Sequence, residues 1–167
     1  MEQGQIQIDN KDIENVLWTV TDPEIPVLSV LDMGIIRGVE KKDENVLIKI
    51  TPTYSGCPAM DTIAMDIKFA VDGLGYKTEI ELVLAPAWTT DWITENGRKK
   101  LEEYGIAAPL EGALDKRAII GGESLVKCTL CGSKNTELTS QFGSTACKAL
   151  FKCKDCLEPF DYFKCLK

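Results

Sequence analysis

The sequence predicts an α+β fold in two parts: a small α-β-β-α-β domain with a mixed sheet at residues 1–110 and a Cys-rich ribbon at residues 128–167. Residues 111–127 are predicted to connect them. Two observations lead to this prediction. In the first part, apolar residues recur with helical spacing in some segments and form β-branched or alternating runs in others. Of the seven cysteines in the 167-residue chain, six lie in the last forty residues.

The first helix is predicted over Lys11 to Thr19. Asp9 or Asn10 can cap its first turn, and Asp22-Pro23 follows its end. Its apolar residues lie at i, i+3, i+4 and i+7: Ile13, Val16, Leu17 and Val20.

Two β-branched runs follow, at residues 35–40 and 46–51, and the polar residues between them predict an antiparallel hairpin. A second helix is predicted to begin at Pro58, because proline suits the first helical position, and to end near Gly73 and Gly75. One apolar stripe runs along it: Met60, Ile63, Ala64, Ile67, Ala70, Val71 and Leu74.

The alternation over residues 77–84 predicts a third strand, which should return parallel beside an earlier strand by a right-handed crossover. A last helix is predicted from Asp91 to Tyr104, with Gly105 as its stop. Gly97 lies inside this helix and costs it about 1 kcal/mol relative to alanine.

Composition and charge exclude several classes of function. The chain has 26 acidic and 19 basic residues, a formal charge of -7 and a pI near 4.7. This balance disfavours binding to nucleic acid. No apolar run approaches the roughly 18 residues of a membrane span, and the polar, acidic start resembles no export signal. We therefore expect a cytoplasmic protein that binds neither nucleic acid nor membrane.

The chain contains no histidine. This excludes Ser-His-Asp and Cys-His nucleophilic sites, zinc sites built on imidazole and the two-His-one-carboxylate iron site. It also removes the usual general base near neutral pH.

The strongest chemical signal lies in the last forty residues. Cys128-x2-Cys131 and Cys153-x2-Cys156 are separated by 21 residues, which is close to the spacing of tetrahedral four-thiolate sites. A structural zinc can supply roughly 10–16 kcal/mol to a segment too small to fold alone. A rubredoxin-like iron or a cluster is the alternative, with Cys147 and Cys165 as possible additional ligands. Disulfides are disfavoured because cytosolic thiols stay reduced.

Cys57 is the remaining cysteine, and it lies between a predicted strand and the second helix. Backbone N–H groups and the helix dipole at that end should favour its thiolate and lower its pKa by under roughly 1.5 units. Such a thiol is a nucleophile, a metal ligand or a small packing side chain. The sequence excludes two classes of cysteine enzyme. A Cys-x5-Arg phosphatase needs arginine at position 63, which is Ile63, and a Cys-x-x-Cys oxidoreductase needs cysteine at position 60, which is Met60.

Three carboxylates, those of Asp22, Glu24 and Asp32, lie in a loop region that could approach the Cys57 turn. Carboxylates beside a thiol suit a borderline or hard metal more than a nucleophile, because they raise the thiol pKa. Asp22-Pro23-Glu24 is equally well explained as a helix stop and a turn. Trp88 and Trp92 lie either in the core or on a contact surface.

Four segments carry a resemblance to a known family. They are DPEIPV at residues 22–27, SVLDMGI at 29–35, PTYSGCP at 52–58 and PAWTTDWI at 86–93. Over residues 11–109 the chain resembles the SufT-like family of iron-sulfur assembly proteins. The resemblance implies a role in cluster assembly or delivery, in which the family's reactive cysteine corresponds to Cys57 and its acidic turn to Asp22 and Glu24.

With its tail, which contains FGSTACKAL at residues 142–150 and EPFDYFKC at 158–165, nearly the whole chain resembles the accessory proteins of the bacterial phenylacetate pathway. That resemblance implies association with the oxygenase or reductase components of phenylacetyl-CoA epoxidase and with iron-sulfur assembly proteins. It also implies a transient iron or iron-sulfur cluster, while the structural zinc expected in the tail rests on the cysteine spacing.

We expect a maturation protein that aids iron or cluster insertion into the epoxidase. The alternative is a non-catalytic structural subunit of the same complex. The chain lacks the Glu-x-x-His pairs of a di-iron bundle and any dinucleotide fingerprint, so we expect no activity of its own. A thiol-dependent enzyme is disfavoured because no histidine is available as its base.

Overall fold

The computed structural model describes residues 6–110, 118–119 and 125–164. The chain forms two compact units, Met1–Gly97 and Arg98–Lys167. Within the described residues, no helix is long and apolar enough to cross a membrane. The fold class is the α+β class predicted from the sequence, with two mixed sheets.

Helix α1 (Lys11–Thr19) opens the first unit and has the predicted bounds. The side chain of Asn10 accepts hydrogen bonds from the backbone N–H groups of Asp12 and Ile13, which satisfies two of the donors that a helix N-terminus leaves free. Ile13 and Leu17 are fully buried. The apolar spacing in the sequence therefore marks the face of α1 that enters the core.

The sheet of this unit has the order β1-β2-β3. Strands β1 (Ile36–Lys42) and β2 (Asn45–Ile50) form the predicted antiparallel hairpin, with an irregular register between Ile36 and Gly38. Helix α2 (Ala59–Asp72) follows, and β3 (Lys77–Leu82) pairs parallel with β2, as predicted. The core includes alternate residues of β2 and one stripe of α2: Val46, Ile48, Ile50, Ile63, Ile67 and Val71.

The helix predicted from Asp91 to Tyr104 is two elements. A 3-10 turn spans Thr90–Trp92, Ile93 is extended, and α3 covers Glu95–Tyr104. The break occurs at Thr94, whose Oγ1 accepts a hydrogen bond of 2.8 Å from the N–H of Gly97 and so caps α3. The periodicity of apolar residues does not reveal that the Thr94 side chain, instead of a backbone carbonyl, accepts the hydrogen bond from Gly97.

Gly97 has a packing reason for its place in α3. A Cβ at this position would lie 3.0 Å from Cβ of Asp32 and 3.1 Å from Cδ1 of Leu28 and from Cγ2 of Ile93. Glycine lowers the helix propensity of α3, but because it has no Cβ it allows the start of this helix to lie close to the loop before β1.

The second unit is built on a sheet with the order β4-β7-β6-β5. Its strands are β4 (Ile106–Ala107), β5 (Thr136–Ser140), β6 (Lys148–Cys153) and β7 (Pro159–Phe163). The pairs β5/β6 and β6/β7 are antiparallel, and β4/β7 is parallel. Its buried residues include Val126, Ala149, Phe151, Phe160 and Tyr162.

The boundary between the two units falls between Gly97 and Arg98. The sequence predicts the end of the first domain later, at residue 110. The physical reason is that β4 pairs with β7, and the N–H of Leu110 donates a 2.9 Å hydrogen bond to the hydroxyl of Tyr162. Strand β4 thus adds an edge strand to the sheet of the second unit. Most of the predicted connector, 111–127, lies outside the described residues.

Gly34 has φ +67°, in the left-handed region, and a Cβ there would lie 2.9 Å from Cβ of Trp92 and still closer to its carbonyl oxygen. We expect Gly34→Ala to lower the free energy of unfolding of the first unit by about 3 kcal/mol, through backbone strain and overpacking. Urea unfolding followed by tryptophan fluorescence measures this, because Trp18, Trp88 and Trp92 all belong to the first unit.

Gly38→Ala is the matched control, because the nearest atom to its added Cβ would be Cδ of Lys49 at an ordinary 3.5 Å. We expect a change in the free energy of unfolding of under about 1 kcal/mol there. Equal effects of the two substitutions would contradict the packing argument.

Candidate metal centre and the Cys57 turn

The four cysteines of the predicted metal site come together in the second unit. The sulfur atoms of Cys128, Cys131, Cys153 and Cys156 all lie within 4.8 Å of one another. Two of the sulfur pairs, Cys128/Cys156 and Cys131/Cys153, are separated by 3.6 Å. A tetrahedral zinc site with Zn–S bonds of about 2.3 Å has S–S edges of about 3.8 Å. The sulfur spacing therefore fits a tetrahedral four-thiolate site.

Each pair of cysteines lies on a tight turn, which we call a knuckle, and both knuckles have the same backbone pattern. The N–H of Cys128 donates to the carbonyl of Ser133, and the N–H of Cys153 donates to that of Glu158, each at 2.9 Å. In both, the residue four positions after the first cysteine has positive φ: 73° at Gly132 and 67° at Leu157. Two copies of one turn thus present the four sulfur atoms.

Polar contacts brace one knuckle against the other. The carboxylate of Asp155 accepts hydrogen bonds from Oγ of Ser133 and, at 2.7 Å, from Nδ2 of Asn135. These bonds lower the pKa of Asp155 below its ordinary value. The N–H of Lys154 donates to the carbonyl of Asn135 at 2.8 Å. The relative position of the two knuckles is therefore supported by protein contacts as well as by the sulfur atoms.

Backbone donors favour a thiolate at Cys153 of the second knuckle, whereas burial and the neighbouring thiols raise the pKa of Cys156. The N–H of Cys156 donates to Sγ of Cys153 at 3.5 Å, and together with hydrogen bonds from Asp155 and the neighbouring thiols it lowers the pKa of Cys153 to about 7 against the opposing effect of burial. Cys128 and Cys153 are buried, whereas Cys131 and Cys156 are exposed. The site thus has a buried half and a surface half.

Cys147 does not belong to this cluster. It lies just before β6, while Cys153 ends that strand, so the six residues of β6 place the two about 20 Å apart. The buried Sγ of Cys147 is 3.0 Å from Oγ1 of Thr145. Cys165, the other possible additional ligand predicted from the sequence, lies outside the described residues.

Cys57 directly precedes Pro58, the N-cap of α2, in the first unit. It is half-buried, its N–H donates to the carbonyl of Tyr54 at 3.2 Å, and its own carbonyl accepts from the N–H of Met60 at 3.2 Å. The backbone N–H of Ala59 and the side chain of Thr53 form hydrogen bonds with the thiol. Sequence reasoning missed Thr53, whose only signal is its place four residues before Cys57.

The electrostatic environment of Cys57 differs from the prediction. Burial raises the pKa of its thiol, the hydrogen bonds from Ala59 and Thr53 lower it, and the charges of Asp22 and Glu24 raise it further. The net shift is upward, so the expectation of a lowered pKa is wrong. Desolvation and two carboxylates outweigh the donors at the helix N-terminus.

The same shift indicates that the acidic turn approaches Cys57, because Asp22 and Glu24 both act on its thiol. Asp22 is buried, and its Oδ1 accepts from the N–H groups of Glu24 at 2.7 Å and of Ile25 at 2.9 Å. Asp22 thus makes the turn as well as contributing charge. The two explanations of this segment, a turn and a functional carboxylate, are compatible.

Asp32, the third carboxylate considered, has a structural role. It is fully buried, and its oxygens accept from Oγ of Ser29 at 3.0 Å, Oγ1 of Thr94 at 2.7 Å and Nδ2 of Asn96 at 3.1 Å. These bonds join the loop before β1 to the start of α3.

The two tryptophans of the aromatic segment are core residues. Trp88 is buried, and its Nε1 donates to the carbonyl of Met33 at 2.8 Å. Trp92 is also buried, and the guanidinium of Arg37 lies 3.9 Å from its ring centroid. Of the two alternatives for this segment, core closure is the one observed.

Comparisons with known proteins agree with this architecture. A family model described as the PaaD zinc beta ribbon domain matches residues 114–164, and one described as an iron-sulfur cluster assembly protein matches residues 10–82. A crystal structure of a DUF59 domain from Bacillus anthracis aligns with a TM-score of 0.50 at 24% identity, covering 53% of this chain and 87% of that one. At this identity the likeness shows the fold alone.

Two curated relatives extend the comparison. A protein of Porphyromonas gingivalis named "Fe-S protein maturation auxiliary factor" is 38% identical over 54% of this chain and 89% of its own length. A protein of Escherichia coli K12, named as one of the subunits of a "Putative 1,2-phenylacetyl-CoA epoxidase", is 47% identical over 90% of each chain. The chain therefore belongs to the PaaD family, with an iron-sulfur cluster assembly domain in its first part and the PaaD zinc β-ribbon in its second.

Proposed function

We propose that this chain is an accessory protein of a 1,2-phenylacetyl-CoA epoxidase system and aids insertion of iron or of an iron-sulfur cluster into an epoxidase component. The names of the E. coli and P. gingivalis relatives support the epoxidase and maturation halves of the proposal. The observation that carries it is a half-buried thiol, Cys57, under the influence of the carboxylates of Asp22 and Glu24.

The raised pKa of Cys57 gives this arrangement a switch-like response to cations. Without a cation, burial and the two carboxylates keep the proton on the thiol. Asp22 and Glu24 attract a divalent cation. The positive charge of that cation then stabilises the Cys57 thiolate, which the carboxylates alone disfavour. Binding of iron as cargo therefore releases the thiol proton.

The donor set suits iron that is held and passed on. One thiolate and carboxylate oxygens form a mixed set that a borderline cation such as Fe²⁺ accepts. Such a set, drawn from one turn and one loop, fills only part of a coordination shell. The remaining positions are free for ligands of an iron-sulfur assembly protein that supplies the cargo or of the oxygenase or reductase component that receives it.

The four-cysteine site takes a different part in this proposal. Its sulfur spacing fits zinc, and all four positions of a tetrahedron are supplied by the chain. Bound zinc would neutralise the thiolates and contribute folding free energy to the second unit. Cys128, Cys131, Cys153 and Cys156 therefore have a structural role, which maintains this unit for contact with the complex.

The second candidate is a non-catalytic structural subunit that only docks onto the epoxidase. The closed four-thiol site favours it, since such sites stabilise small domains without exchanging their metal. The two candidates differ in what Cys57 does, because a docking subunit does not need this thiol.

We expect Cys153→Ser to reduce bound metal from about one ion per chain to nearly none and to unfold the second unit, because a three-thiol site binds zinc far more weakly. Inductively coupled plasma mass spectrometry measures the metal. Tryptophan fluorescence should stay unchanged, since all three tryptophans lie in the first unit.

Cys147→Ser is the control for loss of a buried thiol, because Cys147 lies outside the cluster. It should retain the metal. Retention of metal by both variants would contradict the assignment of the ligands.

We expect Glu24→Gln to lower the pKa of Cys57, because it removes a negative charge that disfavours the thiolate. Alkylation of Cys57 by iodoacetamide at pH 8 should then accelerate by about twofold. Mass spectrometry of the peptide that contains Cys57 follows the reaction separately from the other cysteines. Glu44→Gln removes a carboxylate from the β1–β2 turn and should leave the rate unchanged, whereas a slower reaction in Glu24→Gln would contradict the electrostatic argument.

We expect Cys57→Ala to leave both units folded and to lower the iron content of co-expressed epoxidase components to about half or less, because the cargo loses its thiolate ligand. Iron per component after purification is the measurement. Ser55→Ala, at an exposed position of the same turn, is the control and should leave client iron unchanged. Full client iron in the Cys57→Ala strain would favour the docking subunit.

A further inference from the structure

The strand β3 lies at an edge of the first sheet. It pairs with β2 on one side, and no strand among the described residues pairs with its other side. An open edge presents unpaired N–H and C=O groups, which another chain can extend into a further strand. The arrangement of polar and apolar groups along this edge indicates which kind of segment fits.

The backbone groups of alternate residues point away from β2. The N–H of Lys77 donates to the carbonyl of Glu44 and that of Val83 donates to Ile50, so the odd-numbered residues face the hairpin. The even-numbered residues therefore present their N–H and C=O groups to the open edge.

The beginning of this edge is closed by α2. The N–H of Thr78 donates to Oδ1 of Asp72 at 2.8 Å, and the carbonyl of Thr78 accepts from Nζ of Lys68 at 2.6 Å. Lys68 and Asp72 also form an ion pair of 3.0 Å with each other. One side-chain pair thus occupies both outward groups of Thr78.

The end of the edge is open. No hydrogen bond from the described residues reaches the outward backbone groups of Ile80 and Leu82. Leu82 is 55% exposed on the face that also carries Thr78 and Ile80, and Leu84 just beyond is 63% exposed. Such large exposed side chains beside unpaired backbone groups favour addition of a strand there.

A residue of α2 extends this apolar surface. Met65 lies one turn before Lys68 on the same face of the helix and is 71% exposed. Helix α2 connects two parallel strands, so it runs in the direction opposite to β3. Met65, one turn before Lys68, therefore lies further along β3 than Lys68 does, towards Leu82. We call Met65, Ile80, Leu82 and Leu84 the apolar side of the edge.

The opposite face of β3 carries Lys77 at its beginning and two carboxylates, those of Glu79 and Glu81, towards its open end. Glu79 and Glu81 are exposed, and among the described residues neither forms an ion pair. Glu79 lies opposite Leu47 of β2, so no cation is placed directly across from it. Glu81 lies opposite Lys49, and its charge helps to raise the pKa of Lys49, but the Nζ of Lys49 is bound more closely to Glu40, at 2.5 Å.

We propose that the open end of β3 binds an extended segment of a partner protein, added as a fourth strand, in which apolar residues alternate with lysine or arginine. The outward groups of Ile80 and Leu82 would pair with the segment's backbone. Its apolar side chains would cover the apolar side of the edge, and its basic side chains would lie beside Glu79 and Glu81.

A second copy of the chain fits this edge less well than a basic segment. Pairing of two β3 strands would bring the carboxylates of Glu79 and Glu81 close to their counterparts, and like charges across strands are destabilising. The proposal concerns a surface that does not include Cys57, so it does not depend on the proposed handling of iron.

Synthetic peptides test this with the full-length protein. The probe is a fluorescein-labelled, blocked ten-residue peptide of alternating valine and lysine, and its partner peptide carries glutamate in place of lysine. Fluorescence anisotropy should show binding of the lysine peptide and binding weaker by about tenfold or more for the glutamate peptide. Failure of the lysine peptide to bind with a Kd below about 1 mM would overturn the proposal.

The charge-reversed variant Glu79→Lys/Glu81→Lys should exchange the preference and bind the glutamate peptide more tightly. Glu102→Lys/Glu103→Lys on α3 changes the net charge by the same amount and should keep the original preference. An unchanged preference in the first variant, or an exchange in both, would contradict a site at β3. If the first variant fails to fold, Met65→Ser at its exposed position should still weaken binding of the lysine peptide.

Backbone methylation distinguishes strand addition from simple charge attraction. Two further lysine peptides carry N-methyl groups on the valines or on the lysines. One of the two should lose binding by about tenfold or more, because its methyl groups face β3 and remove the interstrand hydrogen bonds. Equal binding by both methylated peptides and the parent would show that no strand is added.

Discussion

The buried carboxylate of Asp32 holds together the part of the first unit that carries the acidic turn. A fully buried charge is costly unless hydrogen bonds satisfy it, and Asp32 accepts them from Ser29, Thr94 and Asn96. Its carbonyl also accepts from the N–H of Thr94 at 2.9 Å. The loop anchored in this way pairs with the segment that follows α1, through the antiparallel Thr21–Ser29 bridge, and so supports the turn at Asp22. The position of the carboxylates that act on Cys57 therefore depends on a residue with no direct part in the proposed chemistry.

The two groups of cysteines differ in what surrounds their sulfur atoms. In the second unit, thiols lie near one another and near backbone N–H donors, an environment that suits permanent ligation. In the first unit, burial and the carboxylates of Asp22 and Glu24 disfavour the ionised form of a single thiol, that of Cys57. The function proposed above thus assigns retention of a metal to the four-cysteine site and transfer of a metal to the Cys57 turn.

Local patterns in the sequence predicted local structure well. The spacing of Ile13 and Leu17 behind Asn10 gives α1, and the repeated Cys-x2-Cys pattern gives the sulfur cluster. The predicted start of α3 was wrong because Thr94 caps the helix with its own side chain, which periodicity does not reveal. The sign of the Cys57 pKa shift was wrong for a different reason. It depends on burial and on Asp22, which is 35 residues away in the chain, so it follows from tertiary structure.

The repeated turn of the ribbon is reached at unequal conformational cost. At Gly132 the left-handed backbone is free of strain because glycine has no Cβ, whereas at Leu157 the same conformation costs about 1–2 kcal/mol. Leu157 keeps this conformation only if surrounding bonds outweigh that cost. Cys153 and Cys156 precede it on the same turn, and a bound metal would hold their sulfur atoms. Of the two otherwise equivalent turns, the second is therefore the one whose shape depends more on ligation.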